Sequence, residues 1–444
     1  MIELALGDIF DLQQGFAFKS KDFLSKGVPI LKIKNVKSSG LSLHQLDYVN
    51  EAFLDTHRKY IPERGDALIS MSGNRLNGSK ETWVGKVALF KEEATFLVNQ
   101  RVGILKNKIP QKANTGFLVY ALSSDYWQLR FAQTATSSGG QANLSTSQIL
   151  RESVLLPSWS DQKAIAHILG SLDDKIELNH KMNQTLEEIA KAIFKSWFVD
   201  FDPVRAKAEG RPTGLPPEIS DLFPDELVDS EIGEIPKGWD IKSAESLFDI
   251  TIGRTPPRKE AQWFSELETD VPWVSIRDMG DCGTFISKTS EYLTHDAVSK
   301  HRMRKLPVGS VLVSFKLTVG RVAITTKKMT TNEAIAHFPP SDTFPYPNFA
   351  YFYLKGFGYE ALGSTSSIAT AVNSKMIKAI PFIVATSDLT EKFEETVAPM
   401  MERIRLASEE THVLSELRDT LLPKLISGEL RIPDAEKFLE EAGI

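Results

Sequence analysis

Ser158-Trp159-Ser160-Asp161 follows the pair Leu156-Pro157, and beyond it apolar side chains return at alternating steps of four and three. They fall at Ile165, Leu169, Leu172 and Ile176, then at Leu186, Ala190, Ile193 and Trp197, with Asn179 and Asn183 at the two positions between. The serine hydroxyl suits a helix start, where it can accept from an orphan backbone N–H, and the acid suits the positive end of the helix dipole. A stripe of about five heptads predicts a long helix with one narrow apolar seam. Adding 228 to each number gives Phe393, Val397, Met400, Ile404, Ala407, Thr411, Leu414, Arg418, Leu421 and Leu425. A second helix therefore carries nearly the same stripe, interrupted at Thr411 and Arg418. Gly170-Ser171 in the first aligns with Ala398-Pro399 in the second, and a break or kink is expected at both.

A narrow seam on a long helix needs a partner. Antiparallel pairing of the two helices satisfies both stripes and relates the two halves by a pseudo-two-fold axis. The pairing residues expected are Leu172, Ile176, Leu186 and Ile193 on one helix and Met400, Ile404, Leu414 and Leu421 on the other. The straight part, near Asp173–Phe198, would span about 39 Å at about 1.5 Å per residue. One turn of B-DNA is about 34–36 Å.

What precedes each helix is also duplicated. Ile9-Phe10-Asp11-Leu12 returns as Leu247-Phe248-Asp249-Ile250, and Val28-Pro29 as Val271-Pro272. Val84-Gly85-Lys86-Val87-Ala88 returns as Val319-Gly320-Arg321-Val322-Ala323, Asn99 as Asn332, and Thr136-Ser137-Ser138 as Thr365-Ser366-Ser367. Five collinear pairs indicate two copies of one fold. Short β-branched or aliphatic runs predict strands at 29–33, 67–71, 85–90 and 101–105, and at 273–276, 310–315 and 321–325. Helices are expected at 115–132 and 348–362. The fold class is α/β (α+β). Two tandem recognition-type domains (1–158 and 237–386) are each followed by a long helix (159–200 and 387–430), and the helices pair as a coiled coil. A Pro-, Gly- and acid-rich linker (201–236) and a short C-terminal tail (431–444) complete the division.

The length of 444 residues calls for more than one core. No apolar run of eighteen residues exists and the start of the chain lacks a leader pattern, so a cytoplasmic chain with no membrane span is expected. A single cysteine, Cys282, excludes an internal disulfide framework and suits a reducing compartment. The net charge of −6 argues against nucleic acid only until it is divided. Residues 1–158 carry +5 and 237–386 carry +4, while 159–236 carry −8 and 387–444 carry −7. Basic blocks alternate with acidic helical ones.

Catalytic motifs are missing. There is no phosphate-binding GxxxxGK[ST] loop and no GxGxxG, and the eight histidines are scattered without zinc-ligand spacing. DNA reading needs cations for phosphates and amides or hydroxyls for base edges. The first basic block offers Lys19, Lys21, Lys34, Asn35, Asn74, Arg75, Asn77, Lys80, Gln100, Arg101, Ser137 and Gln141. The second offers Arg254, Arg258, Lys259, Arg277, Lys316, Arg321, Thr365 and Ser366. The loop Ser72–Lys80 is nine residues longer than its counterpart around Lys316-Leu317-Thr318, and such loops are where specificity sits.

Ser196-Trp197-Phe198-Val199-Asp200-Phe201-Asp202-Pro203-Val204, continuing to Gly210-Arg211-Pro212-Thr213-Gly214-Leu215-Pro216, resembles the central conserved region of specificity (S) subunits of type I restriction–modification enzymes. Leu421-Leu422-Pro423-Lys424-Leu425-Ile426-Ser427-Gly428-Glu429-Leu430 is similar to the end of that family's second conserved helix. The resemblance implies a non-catalytic subunit that reads a split double-stranded DNA target, one half-site per recognition domain, with the helices as spacer. It implies docking of two modification subunits, which bring S-adenosylmethionine, and of restriction subunits driven by ATP and Mg; this chain itself would bind no cofactor or metal. Two other readings stand beside it: the specificity subunit of an orphan adenine methyltransferase without a nuclease, and a coiled-coil adaptor that does not touch DNA.

Overall fold

The computed structural model describes residues 2–38, 40–43, 45–76, 79–138, 140–362, 372–441 and 443. They form two compact units: Met1–Glu177 together with Val413–Ile444, and Leu178–His412.

In the first unit an antiparallel sheet runs in the order Val87–Leu89, Ala67–Ser70, Val102–Asn107, Phe10–Gln14. A second sheet runs Leu97–Val98, Val28–Leu31, Asp47–Val49, Phe23–Leu24, its first two strands parallel. Ile2–Ala5 pairs antiparallel with Ser153–Leu156. The second unit repeats this order. Val322–Thr325, Val311–Ser314, Ile335–Phe338 and Thr251–Ile252 form the first sheet, with Phe285–Ile286 added at its edge. Thr330–Thr331, Val271–Val274, Glu291–Leu293 and Phe264–Ser265 form the second, again with a parallel first pair. Asp240–Ser243 pairs with Pro381–Val384. The duplication seen in short words of sequence is thus a duplication of strand order and direction.

The central strands are apolar without alternation because both faces are covered. Ala67 and Ile69 pack in one cluster with Phe117 and Leu118, whereas Leu68 packs in another with Ala88 and Ile104. Val311 and Val313 divide from Leu312 in the same way. Successive side chains of a strand point to opposite faces, so such a run needs a layer on each. At the turn shared by the two copies, Gly85 has φ +86 with Phe131 against its α-carbon, and Gly320 has φ +87 with Tyr359 there. Only glycine suits that conformation and that closeness.

The long helices run Trp159–Phe198 and Ser387–Ser427 without interruption. The expected breaks at Gly170 and Pro399 do not occur. Proline removes one backbone donor, but Val397, Met401 and Ile404 around it are buried in the core and hold the helix together. Ile168, Leu169 and Leu172 do the same around Gly170. Two shorter helices correct the expectation in the other direction. The 115–132 stretch is two helices, Thr115–Ser123 and Asp125–Thr134, separated by Ser124 in an extended conformation. The 348–362 stretch is Pro347–Gly356 followed by a short 3-10 turn, Tyr359–Leu362.

Inside the first unit, Ile165, Leu169 and Leu172 of the first long helix share a core with Leu414, Leu421 and Leu425 of the second. Inside the second unit, Ala190, Phe194 and Trp197 share a core with Phe393, Val397 and Ile404, and Leu186, Ile193 and Met400 pack against it. Asn179 Nδ2 donates to Glu410 (2.8 Å) and Asn183 Nδ2 to Ser408 Oγ (3.1 Å), so the second helix descends as the first ascends. Burying each such leucine or isoleucine contributes roughly 1.5–3 kcal/mol, which explains why the stripe dominates the sequence signal. The segment after the first helix is ordered and packed: Asp202–Ala208 is helical, Leu227–Ser230 pairs with Gly233–Pro236, and Phe201, Val204 and Phe223 are buried. Ile432–Glu441 is a helix whose Ala435 and Leu439 enter the first unit's core.

Candidate nucleic-acid interface

In the first unit the strand Ser72–Gly73 pairs with Gln141–Asn143, which pairs with Thr136–Ser138. This small sheet joins two of the segments singled out by their polar composition. Ser72 Oγ donates to Asn143 Oδ1 (2.6 Å), and Arg101 Nη1 donates to Ser72 Oγ (3.1 Å) and Asn143 Oδ1 (2.8 Å). Arg101 is exposed and held by neutral acceptors, so its charge and the rest of its fork stay available. Arg75 instead folds onto its neighbours, donating to the Ala135 carbonyl (2.7 Å) and Ser137 Oγ (3.3 Å). With Leu76, Ala132 and Gln133 it lines a shallow open groove.

The other first-domain candidates divide by position. Asn74 donates to Thr82 Oγ1 (3.0 Å), which pins the loop. Lys80 pairs with Asp125. Gln100 and Gln141 are exposed, and Gln14 Nε2 donates to the Gln100 carbonyl (2.9 Å). Lys19 and Lys21 are exposed on a turn closed by the Lys19 N–H donating to Asp22 (2.7 Å). Burial opposes ionisation of Asp47, and Lys34 and Lys32, each 3.0 Å away, overcome it and hold its carboxyl below the usual range. Asn35 is fully buried, accepting from the Lys32 N–H and donating to the Ser42 carbonyl, so it shapes the turn from inside and does not face a ligand. Asn77 lies outside the described residues.

The second domain uses several of its candidates internally. Arg258 makes two bonds to the Glu291 carboxylate (2.6 and 2.9 Å) and lies over the rings of Phe264 and Trp273. Arg254 donates to the His301 carbonyl (2.9 Å). Arg321 donates to the Ile276 carbonyl (2.6 Å) and so ties two loops together. Lys259, Arg277 and Lys316 are on the surface, Arg277 beside Asp281 (3.7 Å). Thr365 and Ser366 lie outside the described residues. At the position of Arg321 the first copy has Lys86, a nearly buried lysine whose ammonium burial pushes down to about 8. Sequence alone did not single it out, and the shared Gly-Lys/Gly-Arg turn was its only signal.

Among the described residues no three His, Cys, Asp or Glu side chains come together as a metal site, and no helix is long and apolar enough to cross a membrane. What the geometry brings together is loop amides, hydroxyls and guanidinium groups on two copies of one scaffold. The fold and these loops define a duplicated recognition module. The chain belongs to the type I restriction modification DNA specificity family, whose model matches residues 3–188 and 236–386.

Relatives agree. The chain is 32% identical over 358 residues to the specificity subunit of the type I restriction enzyme HindI of Haemophilus influenzae, covering 71% of this chain and 77% of that one. It is 27% identical over 362 residues to the type I restriction enzyme MjaIX specificity subunit of Methanocaldococcus jannaschii, covering 79% and 76%. The fold is similar to the crystal structure of the type I restriction–modification S subunit from M. genitalium, with a TM-score of 0.56 and 14% identity over 96% of this chain and 95% of that one.

Proposed function

We propose that this chain is the DNA-specificity subunit of a type I restriction–modification complex and reads a split target, one half-site with residues 1–158 and the other with residues 237–386. The observation that carries the reading is the duplication: two domains that share the order and direction of eight strands in two sheets, each with a net positive charge, inside a chain of this family. Helices 159–200 and 387–430 act as spacer and as docking surface for two modification subunits. Residues 201–236 link the halves, and 431–444 form a tail after the second helix. The subunit performs no chemistry. S-adenosylmethionine, ATP and Mg enter with the modification and restriction subunits, in the cytoplasm. Phosphate contacts from the basic domains make affinity fall with salt. Co-expression with the modification subunit followed by genome-wide methylation mapping tests the reading. A motif in two parts with a fixed unspecified gap is expected; an unbroken motif, or none, contradicts it.

A further inference from the structure

Leu317 is 92% exposed and has φ +63. The left-handed region strains a leucine, and a strained residue persists where its surroundings impose it. Among the described residues three other non-glycine positions share a positive φ: Gln45, Phe201 and Arg302. Phe201 buries its ring, which offsets the strain; Leu317 buries almost nothing. Its turn is nevertheless tightly fixed. Ser314 Oγ donates to the Thr318 carbonyl (2.5 Å), the Gly320 N–H donates to the Ser314 carbonyl (2.9 Å), and the Arg321 N–H donates to Ser314 Oγ (3.0 Å). Arg321 then anchors the turn to Ile276, next to Arg277, and Lys316 precedes the leucine. The chain thus holds an apolar side chain out into solvent, on a rigid turn, directly after the exposed Lys316. In the corresponding, longer loop of the first copy an exposed leucine also follows a cation, Leu76 (45% exposed) after Arg75, without the left-handed backbone.

We infer that Leu317 is the apolar base-contacting tip of the second domain, set against the apolar surface of a base pair while the adjacent Lys316 meets a phosphate. The inference rests on the DNA-specificity reading and adds to it a residue and a chemistry. Two apolar features of duplex DNA fit a leucine: a thymine methyl group in the major groove, and a base step opened by a wedge.

The test uses the chain assembled with its modification subunit, on duplexes carrying the mapped target. Leu317→Asn keeps a residue that tolerates the left-handed conformation and removes the apolar surface. It is expected to melt no lower than the parent, to assemble normally, and to bind the target at least about tenfold more weakly, the loss confined to the second half-site. Leu317→Met, which keeps the apolar surface, should stay within about threefold. Replacing thymine by uracil in that half-site reproduces the loss if the methyl is the contact. A 2-aminopurine that brightens with the parent but not with Leu317→Asn identifies an opened step. Affinity of Leu317→Asn within about twofold of the parent would overturn the assignment. So would a defect traced to assembly with the modification subunit, which would make the leucine a protein contact. If the parent itself discriminates no split duplex, the failure lies with the DNA-specificity reading.

Discussion

Arg418 Nη1 donates to Asp173 Oδ1 at 2.7 Å, joining the two long helices inside the first unit. Tyr120 Oη donates to the other carboxylate oxygen (2.6 Å), so the bridge also ties the helix pair to the recognition domain. Both charged side chains are only about one-seventh exposed. In an apolar seam a buried charge is tolerated only when partnered, and losing one partner leaves the other uncompensated.

Arg418→Met should therefore destabilise the first unit by about 3–5 kcal/mol, and Asp173→Leu by less, because Asp419 also accepts from Arg418 (3.0 and 2.8 Å). The double variant Asp173→Leu with Arg418→Met should recover part of the loss, because apolar pairs of similar volume replace buried ion pairs well. Denaturant titration of the four proteins gives the coupling energy directly. Additive losses would show that the bridge is solvated and contributes little.

Stability should depend on pH through two buried groups of opposite sign. Burial pushes the Glu394 carboxyl up to about 7, although it accepts from the Phe349 N–H and from Asn348 Nδ2 (both 2.7 Å). Its stabilising protonated form is fully favoured below 4.5, its unfolded value, and that contribution is lost as pH rises to about 7. Burial holds His337, between Thr251 and Thr331, down to about 3. Its neutral form contributes stability above 6.5, its unfolded value, and this is lost as pH falls toward 3. Between 4.5 and 6.5 the two slopes oppose each other. Glu394→Gln removes one, so the stability of the variant should rise with pH across that window while the parent stays nearly flat. Parallel profiles would refute the assignment of Glu394.

Two arginines that look alike in the sequence should behave differently. Arg101→Ala should cost roughly 1–3 kcal/mol of target affinity, confined to the first half-site, with the melting temperature little changed. Arg258→Ala removes the partner of Glu291 and the cation over Phe264 and Trp273, so it should lower the melting temperature first. Binding to half-site variants and thermal denaturation, measured on the same preparations, separate the two. An Arg258→Ala protein that melts like the parent but loses its second half-site would reverse the assignment.

The contrast shows where sequence reading stops. The helix stripe was legible because burial repeats every three or four residues along one segment. Its polar positions were not: Asn179 and Asn183 stand as two polar places inside the first stripe and Arg418 as an interruption of the second, and their partners Glu410, Ser408 and Asp173 lie more than 200 residues away. Sheet order was hidden because most strands are two to four residues long and pair across long separations. The surface cations were visible as residue types, but whether a guanidinium is held only by neutral acceptors, as Arg101 is, or is taken up by a carboxylate and two rings, as Arg258 is, depends on neighbours that no local pattern names. The segment 201–236 read as a linker from its Pro, Gly and acid content, yet Phe201, Val204 and Phe223 anchor it.

The central claim is that two half-sites are read separately and that the helices set the gap between them. Asn179 and Thr411 mark suitable insertion points, because Asn179 faces Glu410 across the helix pair. Inserting seven helical residues at both would lengthen each helix by about 10 Å, the rise of about three base pairs. Methylation mapping of cells carrying this variant with its modification subunit should return both half-sites unchanged and a gap longer by a few base pairs. An unchanged gap, or altered half-sites, would contradict the account.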